Sequence, residues 1–225
     1  INAPGYNTED SFFMISGDET YSQINNSNLS GTVGSKLQLT LLADANTTTL
    51  TLSSQATTSD FATITLSTPR SEPTPITINT YALGEPSLTD DIVSVPDSAT
   101  VTSVSTTDLN GPVPAGEYTL TATASPGGSS ETTTVSLEDR STTTLSVYTN
   151  EDTEPSAFGS HETVTTAISN GTLTPATSVT DADTIVYAVE TTGIGGYVTA
   201  ESHSFESGND LDDLSGLNFT VWTDP

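Results

Sequence analysis

The sequence predicts an all-β chain of two to three small β-sandwich modules in series, and three observations lead there. Short runs that alternate an apolar residue with Thr or Ser recur about every ten residues, each bounded by Gly, Pro, Asp or Asn. No stretch combines a helical apolar period with capping residues. Hydrophobic residues make up only 32% of the chain, yet they are ordered along it rather than scattered, which argues against disorder. Thr suits such runs because its branched Cβ stiffens the strand while its hydroxyl faces water.

The elements follow in order. Lys36-Leu-Gln-Leu-Thr-Leu-Leu42, Thr49-Leu-Thr-Leu-Ser53, Phe61-Ala-Thr-Ile-Thr-Leu66 and Pro75-Ile-Thr-Ile-Asn-Thr-Tyr81 each alternate. With a piece of the N-terminal arm they form a first sandwich over residues 1–84. Gly84 to Asp91 is expected to be a linker or long loop. A second module, 85–140, takes strands at Ala99–Val104, Glu117–Ala124 and Glu131–Leu137, the last two joined by the Pro126-Gly-Gly-Ser-Ser loop. Ala-Gly-Glu-Tyr at its central strand sets Tyr118 as an inward aromatic near the strand's start, as in many immunoglobulin-like modules, and predicts a core anchor with a satisfied hydroxyl. A third module, 141–225, has strands at Thr142–Thr149, Asp183–Glu190, Gly195–Ala200 and Leu217–Thr223, with His161–Ile168 either a strand or one short helical turn. It is short of strands, and open backbone edges invite pairing with another chain. The fold class is thus immunoglobulin-like β-sandwich modules in series.

Charge sets the environment. Twenty-nine carboxylates face three cations, Lys36, Arg70 and Arg140, for a formal net charge of -26. At low ionic strength such a chain repels itself. At molar salt the Debye length falls to roughly 3 Å and the repulsion is screened. The composition therefore predicts a protein adapted to brine. It excludes nucleic-acid binding, which needs a basic face. There is no cysteine, hence neither a disulfide nor a thiolate metal site. No apolar run approaches the roughly 18 residues of a membrane span. A cleaved export signal would account for the start at Ile1, and so would a boundary within a longer chain.

Export is also suggested by N-x-[ST] sequons at Asn25, Asn28, Asn46, Asn170 and Asn218, which predict N-linked glycans. Catalysis finds little support. Only His161 and His203 are available to a Ser nucleophile, and no G-x-S-x-G elbow occurs. Paired acids are abundant, but a glycosidase needs two across a cleft, and a single tryptophan makes a poor sugar groove. No enzyme is expected. Divalent ions are the stronger chemical option: Asp181 and Asp183, and Asp210, Asp212 and Asp213 in a loop closed by Gly216, are hard oxygen donors suited to Ca2+ or Mg2+. The competing reading is a hydrated, salt-adapted loop. For assembly, Phe12, Phe13, Met14 and Ile15 form the densest apolar cluster of the N-terminal arm. That cluster is either tucked into the first module as an edge strand or donated to the next subunit by strand addition.

Several phrases carry a resemblance. Thr142 to Thr149, Ala167-Ile-Ser-Asn-Gly-Thr-Leu-Thr-Pro175, Asp183 to Glu190 followed by Thr192-Gly-Ile-Gly-Gly196, and Ala115-Gly-Glu-Tyr-Thr-Leu120 resemble the β-sandwich repeats of haloarchaeal surface glycoproteins of the S-layer type. The resemblance covers roughly residues 85–225 and brings no catalytic motif. It implies an acidic, N-glycosylated chain at the cell surface, outside the cell. The 225 residues are fewer than in full-length members and show no acidic Thr-rich stalk or C-terminal anchor of their kind; the expectation is a subunit held by its neighbours. The predicted function is a self-assembling structural subunit, a homo-oligomer or polymer of a coat or filament. A secreted adhesin or binding module is the alternative.

Overall fold

The computed structural model describes residues 14–16, 29–43, 45–57, 59–70, 72–107, 109, 112–125, 130–151, 153–158, 160–178 and 183–201. The chain is all-β in character. It divides into a larger unit, Gly5–Ser141 with Thr192–Glu201, and a smaller one that contains Thr142–Thr191.

In the larger unit the strands are β1 (Met14–Ser16), β2 (Leu29–Thr32), β3 (Lys36–Leu42), β4 (Thr47–Ser54), β5 (Asp60–Ser67), β6 (Pro73–Asn79), β7 (Val93–Ser94), β8 (Thr100–Thr106), β9 (Gly116–Ser125) and β10 (Ser130–Glu138). They form a four-stranded sheet, β1-β3-β6-β7, and a six-stranded sheet, β2-β10-β9-β4-β5-β8. The alternation read from sequence is the cause: a period of two sends every second side chain to one face. Leu37, Leu39 and Leu41 on β3 and Ile76 and Ile78 on β6 join Leu50 and Leu52 on β4, Ile64 and Leu66 on β5, and Leu120 and Ala122 on β9 in one buried cluster. Two sheets thus share one core, and burying each such Leu or Ile contributes about 2 kcal/mol.

The boundary expected at residues 84/85 is no break in this structure. β9 lies between β10 and β4, with Leu50 opposite Ala122 and Leu52 opposite Leu120, and β8 pairs with β5. The strands assigned to two modules interleave in one sheet because both sets are too few to close a core alone. Gly84 to Asp91 is two tight 3-10 turns, Ala82–Gly84 and Pro86–Asp91. Ala82, Leu83 and Ile92 at its two ends are fully buried, whereas Pro86–Asp91 has no buried residue, so the segment is a surface loop pinned to the core at both ends.

In the smaller unit β11 (Thr142–Asn150) pairs antiparallel with β12 (Thr174–Pro175) on one side and β13 (Thr184–Thr191) on the other. His161–Ser169 forms helix α1, the helical alternative of the two expected. Ser160 caps it: its Oγ accepts from Thr163 N–H at 3.2 Å, and its own N–H donates to Thr163 Oγ1 at 3.1 Å. Such reciprocal caps satisfy two orphan donors. Val164 and Ala167, three apart, pack with Leu173 and Val186.

A correction falls at Gly195–Ala200. The expected strand is helix α2, within the larger unit. β-branched content points to a strand there, but the two leading glycines permit a close backbone approach that a strand with side chains could not make, and tertiary packing overrides propensity.

Candidate functional site

Two features stand out as means of joining: a glycine clasp and the sheet edges. The clasp begins with the β2–β3 turn. Ser35 N–H donates to Thr32 O at 2.9 Å, and Gly34 sits at φ +83°, a conformation that favours glycine. Against this turn lies the start of α2. Gly196 N–H donates to Gly34 O at 2.8 Å. Asn79, buried at the end of β6, donates from Nδ2 to Gly196 O at 2.9 Å and accepts at Oδ1 from Tyr81 N–H at 3.1 Å. The Tyr81 and Tyr197 rings meet edge to face with centroids 5.2 Å apart. A Cβ on Gly193 would strike Val33 O and the Arg140 stem, and one on Gly196 would strike Asn79 Oδ1 and Gly34 O.

Burial, then the carboxylates of Glu201 and Glu85, raise the Tyr81 phenol above its ordinary pKa, and Arg140 partly offsets them. Beside the clasp, Thr192 N–H donates to Ser141 O at 2.8 Å and Ser141 N–H to Thr192 Oγ1 at 3.0 Å. The two points where the chain leaves and re-enters the larger unit are therefore tied together. Sequence reasoning noted the Thr192-Gly-Ile-Gly-Gly196 run only as a phrase. Its missing side chains were the signal of close approach, whereas nothing in the sequence pairs Asn79 or Arg140 with it.

The long edge strands are β8 and β13. β8 has no charged residue from Thr100 to Thr106, and β13 none before Glu190. β8 carries a register irregularity opposite Thr65 and Leu66, a bulge of the kind that blunts edges; the irregularity at β13 falls on the β11 side, between Thr142 and Thr144. A groove of about 350 Å³ runs beside β8, lined by Thr89, Asp90, Val93 and the Val101–Val104 stretch. Its walls offer backbone, hydroxyls and three valines, with one carboxylate.

The residues singled out from sequence do not form one site. Asn46, in the turn between β3 and β4, and Asn170, the C-terminal cap of α1, are exposed; Asn170 Oδ1 accepts from Thr172 N–H at 2.9 Å. Asn25, Asn28 and Asn218 lie outside the described residues, as do Asp181, Asp210, Asp212 and Asp213. Asp183 is half-buried just before β13. Among the described residues no group of three or more His, Cys, Asp or Glu is placed to hold a metal ion. Phe12 and Phe13 also lie outside the described residues. The backbone at Met14 and Ile15 pairs parallel with Thr40 and Leu41 of β3 in the same chain. His161 opens α1, and His203 lies outside the described residues. Among the described residues no helix is long and apolar enough to cross a membrane.

Tyr118 sits near the start of β9, 5% exposed. Its hydroxyl donates to Pro114 O at 2.7 Å, and its ring meets Phe61 edge to face at 6.2 Å. Burial raises its pKa. No protein-family model matches the sequence, and neither does any curated protein.

Proposed function

We propose that this chain is a structural subunit of an extracellular, salt-adapted surface assembly, a coat or a filament of the haloarchaeal S-layer type, joined to its copies by strand pairing. The observation that carries the reading is the contrast between surface and edge. A chain with formal net charge -26 leaves Thr184–Val189 of its longest edge strand free of charge. Edge strands are ordinarily guarded by charge, above all by Lys, and this chain has three cations in all. In brine the acidic faces hold water and cations while the uncharged edge remains able to pair. The larger unit reads as immunoglobulin-like, supported by the Tyr118–Pro114 hydrogen bond, which has the form of the tyrosine corner of such sandwiches. Among the described residues, Asn46 and Asn170 are exposed sequons suited to N-linked glycans. Surface acids hold Ca2+ or Mg2+ loosely at most, and no step of the proposed role is catalytic.

Electron microscopy and sedimentation in molar NaCl, then after dilution, test this reading. Fibres or sheets in brine that disperse on dilution are the expected result. Monomers at every salinity, up to concentrations of about 1 mM, where even weak contacts worth ~4 kcal/mol form, overturn it. A second reading, an adhesin or binding module, is favoured by the groove along β8. Its walls suit an extended, uncharged peptide added to the sheet edge, and such a module would stay monomeric in the same experiment.

A further inference from the structure

We propose that Asn170-Gly171 is a self-modifying site, where a chain without a glycan on Asn170 loses that side chain's amide and the smaller unit loosens in consequence. Asparagine is a labile residue, and the reaction requires the next backbone nitrogen to close on the side-chain carbon. Glycine obstructs that closure least, because it has no Cβ and the widest choice of backbone conformation. Asn170 and Gly171 are both exposed. Gly171 sits at φ +78°, and nothing lies within 4 Å of the place a Cβ would take. Its N–H donates to Ile168 O at 3.3 Å, longer than the usual range of about 2.7–3.2 Å. The attacking group is thus weakly held, at a helix end, where opening is easiest.

The step needs water and nothing else. The Gly171 nitrogen loses its proton to solvent base and bonds to Asn170 Cγ. The Cγ–Nδ2 bond breaks, and Nδ2 takes a proton back and leaves as ammonia. Water then opens the succinimide ring at either carbonyl, giving aspartate, or isoaspartate with the main chain rerouted through Cγ. No atom is oxidised or reduced. The consequence follows from what Asn170 holds. It is the C-terminal cap of α1, and its Oδ1 accepts from Thr172 N–H at 2.9 Å, while Thr172 O accepts from Asn150 Nδ2 at 2.7 Å. Two asparagines therefore clamp the backbone of Thr172, next to Leu173, which is 1% exposed in the small cluster under α1. Either product sets a carboxylate at the negative end of the helix dipole, and residues 142–191 contain no Lys or Arg to offset it. Isoaspartate also lengthens the main chain and displaces the clamp. The site is read on single chains and does not depend on the proposed assembly.

The test takes the full chain from a host without N-glycosylation and ages it in molar NaCl at mildly alkaline pH. Peptide mass spectrometry follows Asn170 and separates it from Asn110-Gly111, which lies outside the described residues. The same chain unfolded in guanidinium chloride gives the unrestrained rate. Because helix ends open at little cost, folded chain is expected to convert at Asn170 within about tenfold of that rate. Conversion in guanidinium alone overturns the proposal. Gly171→Ala, whose Cβ crowds the ring closure, is expected to slow folded conversion by at least about tenfold, and an equal rate overturns the route. Each aged chain is then compared with its own fresh sample by hydrogen exchange. Faster exchange across α1 and Leu173 is expected in the aged native chain and not in aged Gly171→Ala; equal gains, or none, overturn the loosening.

Discussion

The larger unit closes its core between two sheets, whereas the smaller unit backs one three-stranded sheet with a nine-residue helix. The first buries a continuous row of Leu, Ile and Val from both layers; the second buries four residues under α1 and leaves Leu145 in solvent. With no disulfide available to either, stability must follow apolar burial. The comparison teaches where this protein is finished and where it still has surface to cover. A unit that satisfies itself makes a spacer. Among the described residues, the smaller unit alone leaves a large apolar side chain, Leu145, exposed, beside an uncharged edge strand.

The largest expected effect separates the two cores. Leu120→Ala, at a position 1% exposed on the central strand β9, should destabilise the larger unit by about 3 kcal/mol, the range for buried Leu truncations. Leu173→Ala, equally buried, should cost less, because a cluster of four residues collapses into a cavity more readily than a two-sheet core. Hydrogen exchange resolved by peptide should show the first loss across β4, β9 and β10 and the second across α1 and β11. Equal loss everywhere from either variant would mean the chain unfolds as one body.

Next comes the clasp. Gly193 and Gly171 share nearly the same backbone, φ +74° and +78°, but differ in surroundings. A Cβ at Gly171 meets nothing within 4 Å, whereas at Gly193 it meets Val33 O and Arg140. Gly171→Ala should therefore cost about 1 kcal/mol, the left-handed penalty alone. Gly193→Ala adds a backbone collision and should cost roughly 3 kcal/mol, near the upper end for local strain, with faster exchange confined to α2 and the β2–β3 turn. Similar melting shifts for the two variants would remove the clasp as a joint.

What was legible in the sequence divides along the same line. In the larger unit, β3 falls at Lys36–Leu42 as the Leu-x-Leu-x-Leu pattern requires, since a period-two stripe has no other way to bury itself. Strands from either side of residue 84 share both sheets of the larger unit, and that was not legible: strand pairing over long separations leaves no local mark, and Leu52 facing Leu120 looks in sequence like any two leucines. At α1, Val164 and Ala167 three apart are compatible with a helix, and the Ser160–Thr163 cap is what decides for it; a Thr-rich local composition concealed that cap. Of the sequons, Asn46 falls in the turn between β3 and β4 and Asn170 at the end of α1, both exposed. The clasp was not legible, because Asn79 and Gly196 stand 117 residues apart.

A smaller effect belongs to Tyr118. Its phenol titrates above its ordinary value near 10 in the folded protein because burial disfavours the phenolate. A group whose folded pKa exceeds the unfolded one contributes fully below the unfolded value and loses that contribution as pH rises through the folded one. Stability should thus fall above about pH 10, where the unfolded tyrosine ionises, and the Pro114 O hydrogen bond is lost with the proton. Tyr118→Phe should cost about 1 kcal/mol at neutral pH, the net value of one hydrogen bond. It should also flatten the decline in urea midpoint between roughly pH 9 and 11. An unchanged alkaline slope would assign that decline to other groups.

The smallest expected effect has the opposite sign. Thr48 is 1% exposed and Thr68 5%, and both Oγ1 atoms lack a hydrogen-bond partner among the described residues. Thr48 stands opposite Leu66 and Thr68 N–H donates to Asn46 O at 3.1 Å, so the two are diagonal neighbours across β4 and β5, roughly 7 Å apart. A buried hydroxyl without a partner costs about 1 kcal/mol or more in lost hydration, and Val has nearly the shape of Thr without that oxygen. Thr48→Val should therefore stabilise the larger unit by about 1 kcal/mol, read as a higher urea midpoint at unchanged slope. Exchange protection in β11 and β13 should not change. A lower midpoint would show that the hydroxyl is satisfied by bound water, and the double variant Thr48→Val with Thr68→Val would then lose less than the sum of the single changes if the two share that water.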